Sequence, residues 1–205
     1  YNGSEQSVSG YTPEGLEAPE ATVVLKEGKE AVAKGTEASS DKYMMGLTKD
    51  DFVIMEGDKD ATSNYEITYT DGSLVITPLD GVAVVTANDA GYTYDGTAKG
   101  GNGATAEGLL EGHRLEEVEV SGSQTDAGTY PNELVPSNAK IVDEAGNDVT
   151  GNYANISYVR GTLTINKKAV AIAGNTDTKA YNGSEQSVSG YTPEGLEAPE
   201  ATVVL

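Results

Sequence analysis

Hydrophobic residues along this chain come in short runs or strict alternation, without the three-to-four spacing of a long amphipathic helix. The clearest alternation lies in Tyr65 to Thr77, where Tyr65, Ile67 and Tyr69 alternate with polar residues, Asp71-Gly72 follows, and Leu74 and Ile76 resume the pattern. That spacing predicts a β-hairpin with a two-residue turn and one buried face. Upstream, the Tyr1-Asn2-Gly3 turn signal leads into a predicted short strand, Gln6 to Gly10, with Val8 inward. Pro13-Glu14-Gly15 is a second turn. Residues 22–25, 26–29 and 30–35 read as strand, turn and strand, with Gly28 in the turn and the two strands as hairpin partners. Met44 to Phe52 has room for one helical turn, with Thr48 as N-cap and Asp51 in the place of the capping-box Glu. Pro78-Leu79-Asp80-Gly81 then interrupts the pattern and marks a domain boundary.

The second half repeats this grammar. Val82 to Thr86 is an apolar opening strand, Leu115 to Val120 is a later one, and Tyr94-Asp95-Gly96 stands where Tyr181-Asn182-Gly183 follows the strand Ala169 to Ala173. Gly122 to Tyr130 takes the place of Gly35 to Tyr43. Asn152-Tyr153, Ile156, Gly161, Leu163 and Ile165 echo Asn64-Tyr65, Ile67, Gly72, Leu74 and Ile76, with one extra residue before the glycine, as a bulge or altered turn produces. A stronger repetition frames both halves. Tyr1 to Leu25 recurs letter for letter at Tyr181 to Leu205, including Ser4, Glu5 and Gln6, which packing leaves free. Such identity points to tandem duplication with a period of 180 residues (181 minus 1), an appended tag being the alternative. The predicted fold is mainly β, with two tandem small β-rich domains in a rod and the opening of a third. Residues 1–80 form a repeat lacking its first strand, 81–167 a second repeat, and 168–205 a partial third. Val84, Leu115, Val118, Val120, Leu163 and Ile165 are expected among the buried residues of the second repeat. Short linkers at Thr77–Gly81 and Asn166–Lys168 leave little freedom, so the array is expected to be semi-rigid, each domain adding roughly 30–40 Å.

Several motifs recur in order: Tyr-Asp-Gly or Tyr-Asn-Gly after a strand, Thr125-Asp126-Ala127-Gly128-Thr129-Tyr130, Met45-Gly46-Leu47-Thr48 with Asp51-Phe52, and a closing Asn-Tyr before Gly-x-Leu-x-Ile. Over essentially its whole length the chain resembles the MBG/YDG-type repeats of bacterial surface proteins of the gut clostridial type. It departs from the pattern at Ala38-Ser39-Ser40-Asp41-Lys42-Tyr43, where the second repeat has Ala127-Gly128-Thr129-Tyr130. The resemblance implies β-grasp-like domains related to mucin-binding repeats, strung in tandem in long exported proteins, and it brings no catalytic residues.

Composition narrows the chemistry. The absence of cysteine excludes disulfides and thiolate metal sites, and suits an exported bacterial protein. With 33 acidic against 13 basic residues the formal net charge is −20, which disfavours nucleic acid and anionic membranes as partners and favours solubility. No apolar run reaches membrane-spanning length, and the chain does not open with a signal peptide.

No constellation of reactive residues stands out. His113, the single histidine, sits in Glu111-Gly112-His113-Arg114 without the nucleophile and orienting group of a triad, and is expected at the surface. Asp50-Asp51, Asp58-Lys59-Asp60 and the stretch Asp143 to Asp148 lack EF-hand and calcium-nonapeptide spacing and are expected to be solvated loops. No carboxylate pair singles itself out for glycoside chemistry. Gly100-Gly101-Asn102-Gly103 reads as a flexible loop without a phosphate role. The twelve tyrosines stand beside one phenylalanine and no tryptophan. They suit either stacking on sugars or strand packing, the latter expected for Tyr65, Tyr69, Tyr153 and Tyr158. Lys34, Lys140, Asn64 and Asn152 are isopeptide candidates only by lying on or beside predicted strands. The expectation is therefore no enzyme, with no catalytic, cofactor-binding or metal residues and no cofactor.

The expected role is a structural stalk or spacer in an extracellular cell-surface protein or filament. The strand ending at Leu205 lacks its hairpin partner and Tyr1 lacks a preceding strand, so head-to-tail self-association by strand complementation is also expected. The alternative is a glycan- or mucin-binding adhesin module. Expected partners are neighbouring copies of the repeat or host glycans and mucin, without nucleic acid or membrane insertion.

Overall fold

A computed structural model describes residues 1–16, 21–196 and 202–204. It is mainly β, and its only helices among these residues are three-residue 3-10 turns. The described residues gather into two compact units interleaved along the sequence. Tyr1–Val82, Gly108–His113 and Val142–Asn155 make the first; Ala83–Glu107, Arg114–Ile141 and Ile156–Leu205 make the second.

The first unit opens with β1 (Gln6–Ser9), β2 (Ala21–Leu25) and β3 (Val32–Gly35), followed by β4 (Tyr43–Met44), β5 (Phe52–Glu56), β6 (Lys59–Asp60) and β7 (Ser73–Leu74). β2 and β3 flank a turn at Gly28, where the Lys29 N–H donates to the Lys26 carbonyl (3.1 Å). They are not hairpin partners as the sequence suggests. β2 runs antiparallel to β5, whereas β3 runs antiparallel to β1. Pairing with β5 lets Val23 and Leu25 pack on Phe52, beside buried Ala31 and Leu47. Val8 is 39% exposed, against the inward placement expected; among the described residues β1 pairs with β3 alone. The helical turn at Lys49–Asp51 forms with the expected cap: the Asp51 carboxylate accepts from the Thr48 N–H (2.8 Å) and hydroxyl (3.0 Å).

The hairpin predicted at Tyr65 to Thr77 does not form. Side chains alternate as expected, with Tyr65, Ile67 and Tyr69 half-buried between exposed neighbours, but Glu66–Thr70 is not a strand. Asp71 and Gly72 are engaged elsewhere. The Asp71 carboxylate accepts from the Gly46 N–H (2.9 Å), the Leu47 N–H (3.4 Å) and the Tyr69 hydroxyl (2.8 Å), and the Gly72 carbonyl accepts from the Met45 N–H (3.0 Å). The loop beyond therefore joins β7 to β4 instead of folding back on residues 65–70.

The remaining strands are β8 (Leu79–Ala87), β9 (Ala90–Thr93), β10 (Lys99–Gly100), β11 (Ala104–Glu107), β12 (Arg114–Ser121), β13 (Ser123–Gln124), β14 (Gly128–Val142), β15 (Tyr153–Val159), β16 (Gly161–Asn166), β17 (Ala171–Gly174) and β18 (Tyr191–Glu194). The linker read at Thr77–Gly81 is thus already strand from Leu79. One sheet runs β12-β14-β16-β9, with β9 parallel to β16; a second runs β11-β8-β15, with β8 in the middle. β15 and β16 are consecutive yet belong to different sheets, so they too are no hairpin. Gly161, the first residue of β16, is where the backbone comes close: a Cβ there would lie 2.8 Å from the Ala87 carbonyl oxygen. Leu163 and Ile165 are buried as expected, beside Leu134, Ala87 and Ala90, with Tyr92, Tyr94, Val120 and Tyr130 packed around them. Val84, Leu115, Val118 and Val120 are only half-buried, and the buried residues of the opening strand are Ala83 and Val85, one position off the expected face. β17 and β18 form a two-stranded antiparallel sheet. Of the strand expected to end at Leu205, Thr202–Val204 are not strand and Leu205 lies outside the described residues.

Candidate functional site

An open groove with a cavity of about 620 Å³ crosses the first unit. One wall is the main chain from Gly10 to Leu16 and the other is Tyr65 to Thr70, over a floor that includes Val23, Phe52 and Ile54. The aromatic rings are ordered around Phe52, with Tyr11 edge-on at 5.1 Å and Tyr69 tilted at 4.9 Å between centroids. The Tyr11 hydroxyl donates to the Val23 carbonyl (2.9 Å), and the identical residues of the later copy repeat that bond, Tyr191 to the Val203 carbonyl. The Tyr65 hydroxyl bonds Glu56 (2.8 Å), which raises its pKa; burial and the bond to Asp71 raise that of Tyr69. Burial opposes ionisation of Asp71, but its hydrogen bonds with Gly46, Tyr69 and Leu47 outweigh it and hold the carboxyl below its ordinary value. Among the described residues, the backbones of Thr12–Glu14 and Glu66–Thr70 find no main-chain partner.

The sheet β11-β8-β15 holds the counterparts of the same two walls in a closed arrangement. Tyr1 to Leu16 aligns with Tyr94 to Leu109 without a gap, which places Tyr11–Glu14 on Ala104–Glu107, and Tyr65 aligns with Tyr153. Those counterparts are β11 and β15, and β8 lies between them, hydrogen-bonded to both. The alignment extends to detail. The Tyr94 N–H donates to the Asn166 carbonyl (2.9 Å), and the Tyr1 nitrogen to the equivalent Thr77 carbonyl (2.7 Å). Side-chain turns at Asn2–Ser4, Asp95–Thr97 and Asn182–Ser184 have donor–acceptor distances of 3.0, 2.9 and 3.0 Å.

His113 is half-buried, not a plain surface histidine. Its Nδ1 shares a 2.7 Å hydrogen bond with the Tyr153 hydroxyl, which also accepts from the Leu110 N–H (3.1 Å), and the rings of Tyr1 and Tyr153 flank it. Next to it, Asn152 is 3% exposed, accepts from the Ala38 N–H (2.7 Å) and donates to the Glu37 carboxylate. Lys34 pairs with Glu5, and Lys140 with Glu116 and Glu117, while Asn64 is exposed. Asp51, Asp60, Asp143 and Asp148 each bond locally within their turns. Asp51 meets Lys29 (2.8 Å), and that bond, with the N–H and hydroxyl of Thr48, lowers its pKa to about 2. Asp60 caps Thr62, and Asp143 receives Asn147, each held below the ordinary carboxylate value by those hydrogen bonds. Asp95, bound by Lys99 and Thr97, is lowered as well. Among the described residues no three His, Cys, Asp or Glu side chains converge to hold a metal ion. Of the Gly100–Gly103 stretch, Gly100 is in β10 and residues 101–103 are a loop, in which a Cβ on Gly101 would sit 2.6 Å from Val120. Tyr65, Tyr69 and Tyr153 pack their rings as expected, whereas Tyr158 is 41% exposed and its hydroxyl accepts from the Ala139 N–H (3.1 Å).

No single residue of the groove announced it in the sequence. The available signal was the repetition itself: a wall identical to Tyr191–Glu194, and a second wall alternating like a strand. No helix among the described residues is long and apolar enough to cross a membrane. Comparison with protein-family models, curated proteins and solved structures finds no match to the chain.

Proposed function

We propose that this chain is a stretch of a tandem-repeat array acting as a structural spacer in an extracellular bacterial surface protein, built from two small β-grasp-like repeats of MBG/YDG type and the opening of a third. One observation supports the reading: a single strand ladder recurs where the sequence repeats. β11 meets β8, and β18 meets β17, in registers that differ only by a shift of 87 residues on both strands (171 minus 84, and 194 minus 107). A chain that rebuilds one ladder after Tyr94-Asp95-Gly96 and again after Tyr181-Asn182-Gly183 is suited to length. Its formal charge of −20 keeps neighbouring stalks apart. Small-angle scattering tests the reading on arrays of one, two and three 180-residue periods. A spacer adds a constant increment of maximum dimension with each period, whereas collapse into one globule makes size grow as roughly the 0.38 power of length.

The adhesin alternative has one observation in its favour. Tyr11, Tyr65 and Tyr69 line the groove with Glu14 and Glu66, a combination of aromatic faces and carboxylates suited to a sugar ring. Saturable binding on a mucin-glycan array, lost in Tyr11→Ala, would favour it over the spacer; silence would remove it.

A further inference from the structure

We propose that Asn102 is a self-modification site: the Gly103 backbone nitrogen displaces its side-chain amide, and the isoaspartyl product loosens the start of β11. The proposal concerns this loop alone and stands whether or not the chain is a spacer.

The chain has three Asn-Gly pairs, Asn2-Gly3, Asn102-Gly103 and Asn182-Gly183. Glycine lets its nitrogen reach the preceding side-chain carbonyl carbon, because no Cβ stands in the way. All three asparagines are exposed, so exposure does not separate them. Hydrogen bonding does. The Asn2 and Asn182 side-chain oxygens accept from the Ser4 and Ser184 N–H groups, each at 3.0 Å, in Asx turns that fix both side chains. Among the described residues neither the Asn102 side chain nor the Gly103 N–H has a hydrogen-bond partner. The Gly103 carbonyl is held by the Asn88 N–H (2.9 Å), but the reciprocal bond of that antiparallel pair is not made. The nucleophile and the carbon it attacks are thus both free.

The fold itself demands the reactive neighbour. Gly103 has φ +131°, a conformation that residues with a Cβ rarely adopt. On the other side, a Cβ on Gly101 would lie 2.6 Å from Val120 and 3.2 Å from Leu134. Neither glycine can be exchanged for a bulkier residue without strain.

The reaction needs only water. The Gly103 nitrogen gives up its proton to solvent and bonds to Asn102 Cγ. The Cγ–Nδ2 bond breaks, ammonia leaves with a solvent proton, and a five-membered succinimide closes. Water then opens the ring. Addition at Cγ restores the ordinary main chain with aspartate at 102. Addition at the main-chain carbonyl carbon gives isoaspartate, whose backbone runs through Cβ and Cγ. One ammonia is exchanged for one water, nothing is oxidised or reduced, and a negative charge is gained.

The consequence differs between sites. At the Tyr-Asn-Gly turns an aspartate changes little, since the aligned Asp95 closes the same turn on the Thr97 N–H (2.9 Å). At Asn102 an isoaspartate adds a methylene to the backbone just ahead of β11, which is laddered to β8 from Ala104 opposite Ala87 to Glu107 opposite Val84. The bond from Asn88 to Gly103 begins that ladder, and by alternation the Thr105 N–H is the next one bonded to β8.

Ageing the full chain at mildly alkaline pH in heavy-oxygen water, followed by peptide mapping by mass spectrometry, tests the assignment. A hydrogen bond that must open first slows a reaction by roughly twofold to tenfold. Asn102 should therefore convert ahead of Asn2 and Asn182 by that factor, gaining one heavy oxygen for each ammonia lost. In guanidinium chloride, where the turns are gone, the three rates should converge. Equal rates in the folded chain, or an Asn102 that lags the other two, would overturn the proposal. Asn102→Gln, which can close only a less favourable six-membered ring, should stop conversion at 102. The isoaspartyl form, separated by chromatography, should exchange the Thr105 amide proton severalfold faster than Asn102→Asp, which carries the charge on a normal backbone. Identical exchange in those two chains would refute the loosening of β11.

Discussion

If a strand of this module buries its apolar face only where both edges are paired, shortening aligned residues in β8 and β17 must have unequal effects. Val85 in β8 is fully buried, whereas Ile172 in β17 is 57% exposed. Val85→Ala removes the equivalent of two methylenes, about 1.6 kcal/mol of transfer free energy. A residual cavity of roughly 50 Å³ adds about 1 kcal/mol more, giving about 2–3 kcal/mol in all. Ile172→Ala in the monomer should stay within about 0.5 kcal/mol of wild type despite deleting a larger group. With a urea dependence of about 2 kcal/mol/M, Val85→Ala should lower the unfolding midpoint by about 1 M or more, and Ile172→Ala should barely move it. Val84→Ala, on the half-buried face, should fall between them. Urea titrations followed by far-ultraviolet dichroism and tyrosine fluorescence, at dilutions where chains are separate, measure all three. Equal losses at Val85 and Ile172 would show that pairing of both edges does not govern burial of the apolar face.

Other outcomes follow from single contacts. The Asp51 carboxyl has its folded-state pKa lowered from 3.8 to about 2, so its contribution is present above pH 3.8 and is lost as pH falls through about 2; Asp51→Asn should flatten the fall of the urea midpoint across that window. Asn152→Ala leaves the Ala38 N–H without its acceptor and should cost about 1–3 kcal/mol, whereas Asn64→Ala at the aligned exposed position should cost under about 0.5 kcal/mol, both read by chemical denaturation. Gly146 and Gly122 both have positive φ, +87° and +104°, but a Cβ on Gly146 meets nothing whereas one on Gly122 would lie 2.0 Å from the Glu133 carbonyl oxygen. Gly146→Ala should cost about 1–2 kcal/mol by thermal melting and Gly122→Ala several times that.

The β class and the local devices were legible in the sequence because their causes lie within a few residues of one another. Thr48 and Asp51 make their cap across one turn, and the Asn2, Asp95 and Asn182 side chains each close on the residue two ahead. What failed was pairing. Asp71-Gly72 has the composition of a tight hairpin turn, but the carboxylate is claimed by Gly46 and Leu47, some 25 residues upstream, and no local pattern reports that. Likewise β2 and β3 look like a hairpin until Phe52 draws β2 to β5. Val82–Thr86 was visible as an apolar strand but its inward face was not, since Ala83 and Val85 go inward by virtue of strands far along the chain. The groove was readable only as two aligned walls. That it is open depends on what lies between them.

Identical residues in this chain become strand or not according to whether a neighbouring strand is present. Amide hydrogen exchange, resolved residue by residue by NMR in dilute solution, tests it within one molecule. Thr192 and Glu194, laddered to β17, should exchange at least about tenfold more slowly than Thr12 and Glu14, whose surrounding sequence is the same. Equal exchange at the two copies, whether both fast or both protected, would show that the neighbouring strand does not decide the conformation of these residues.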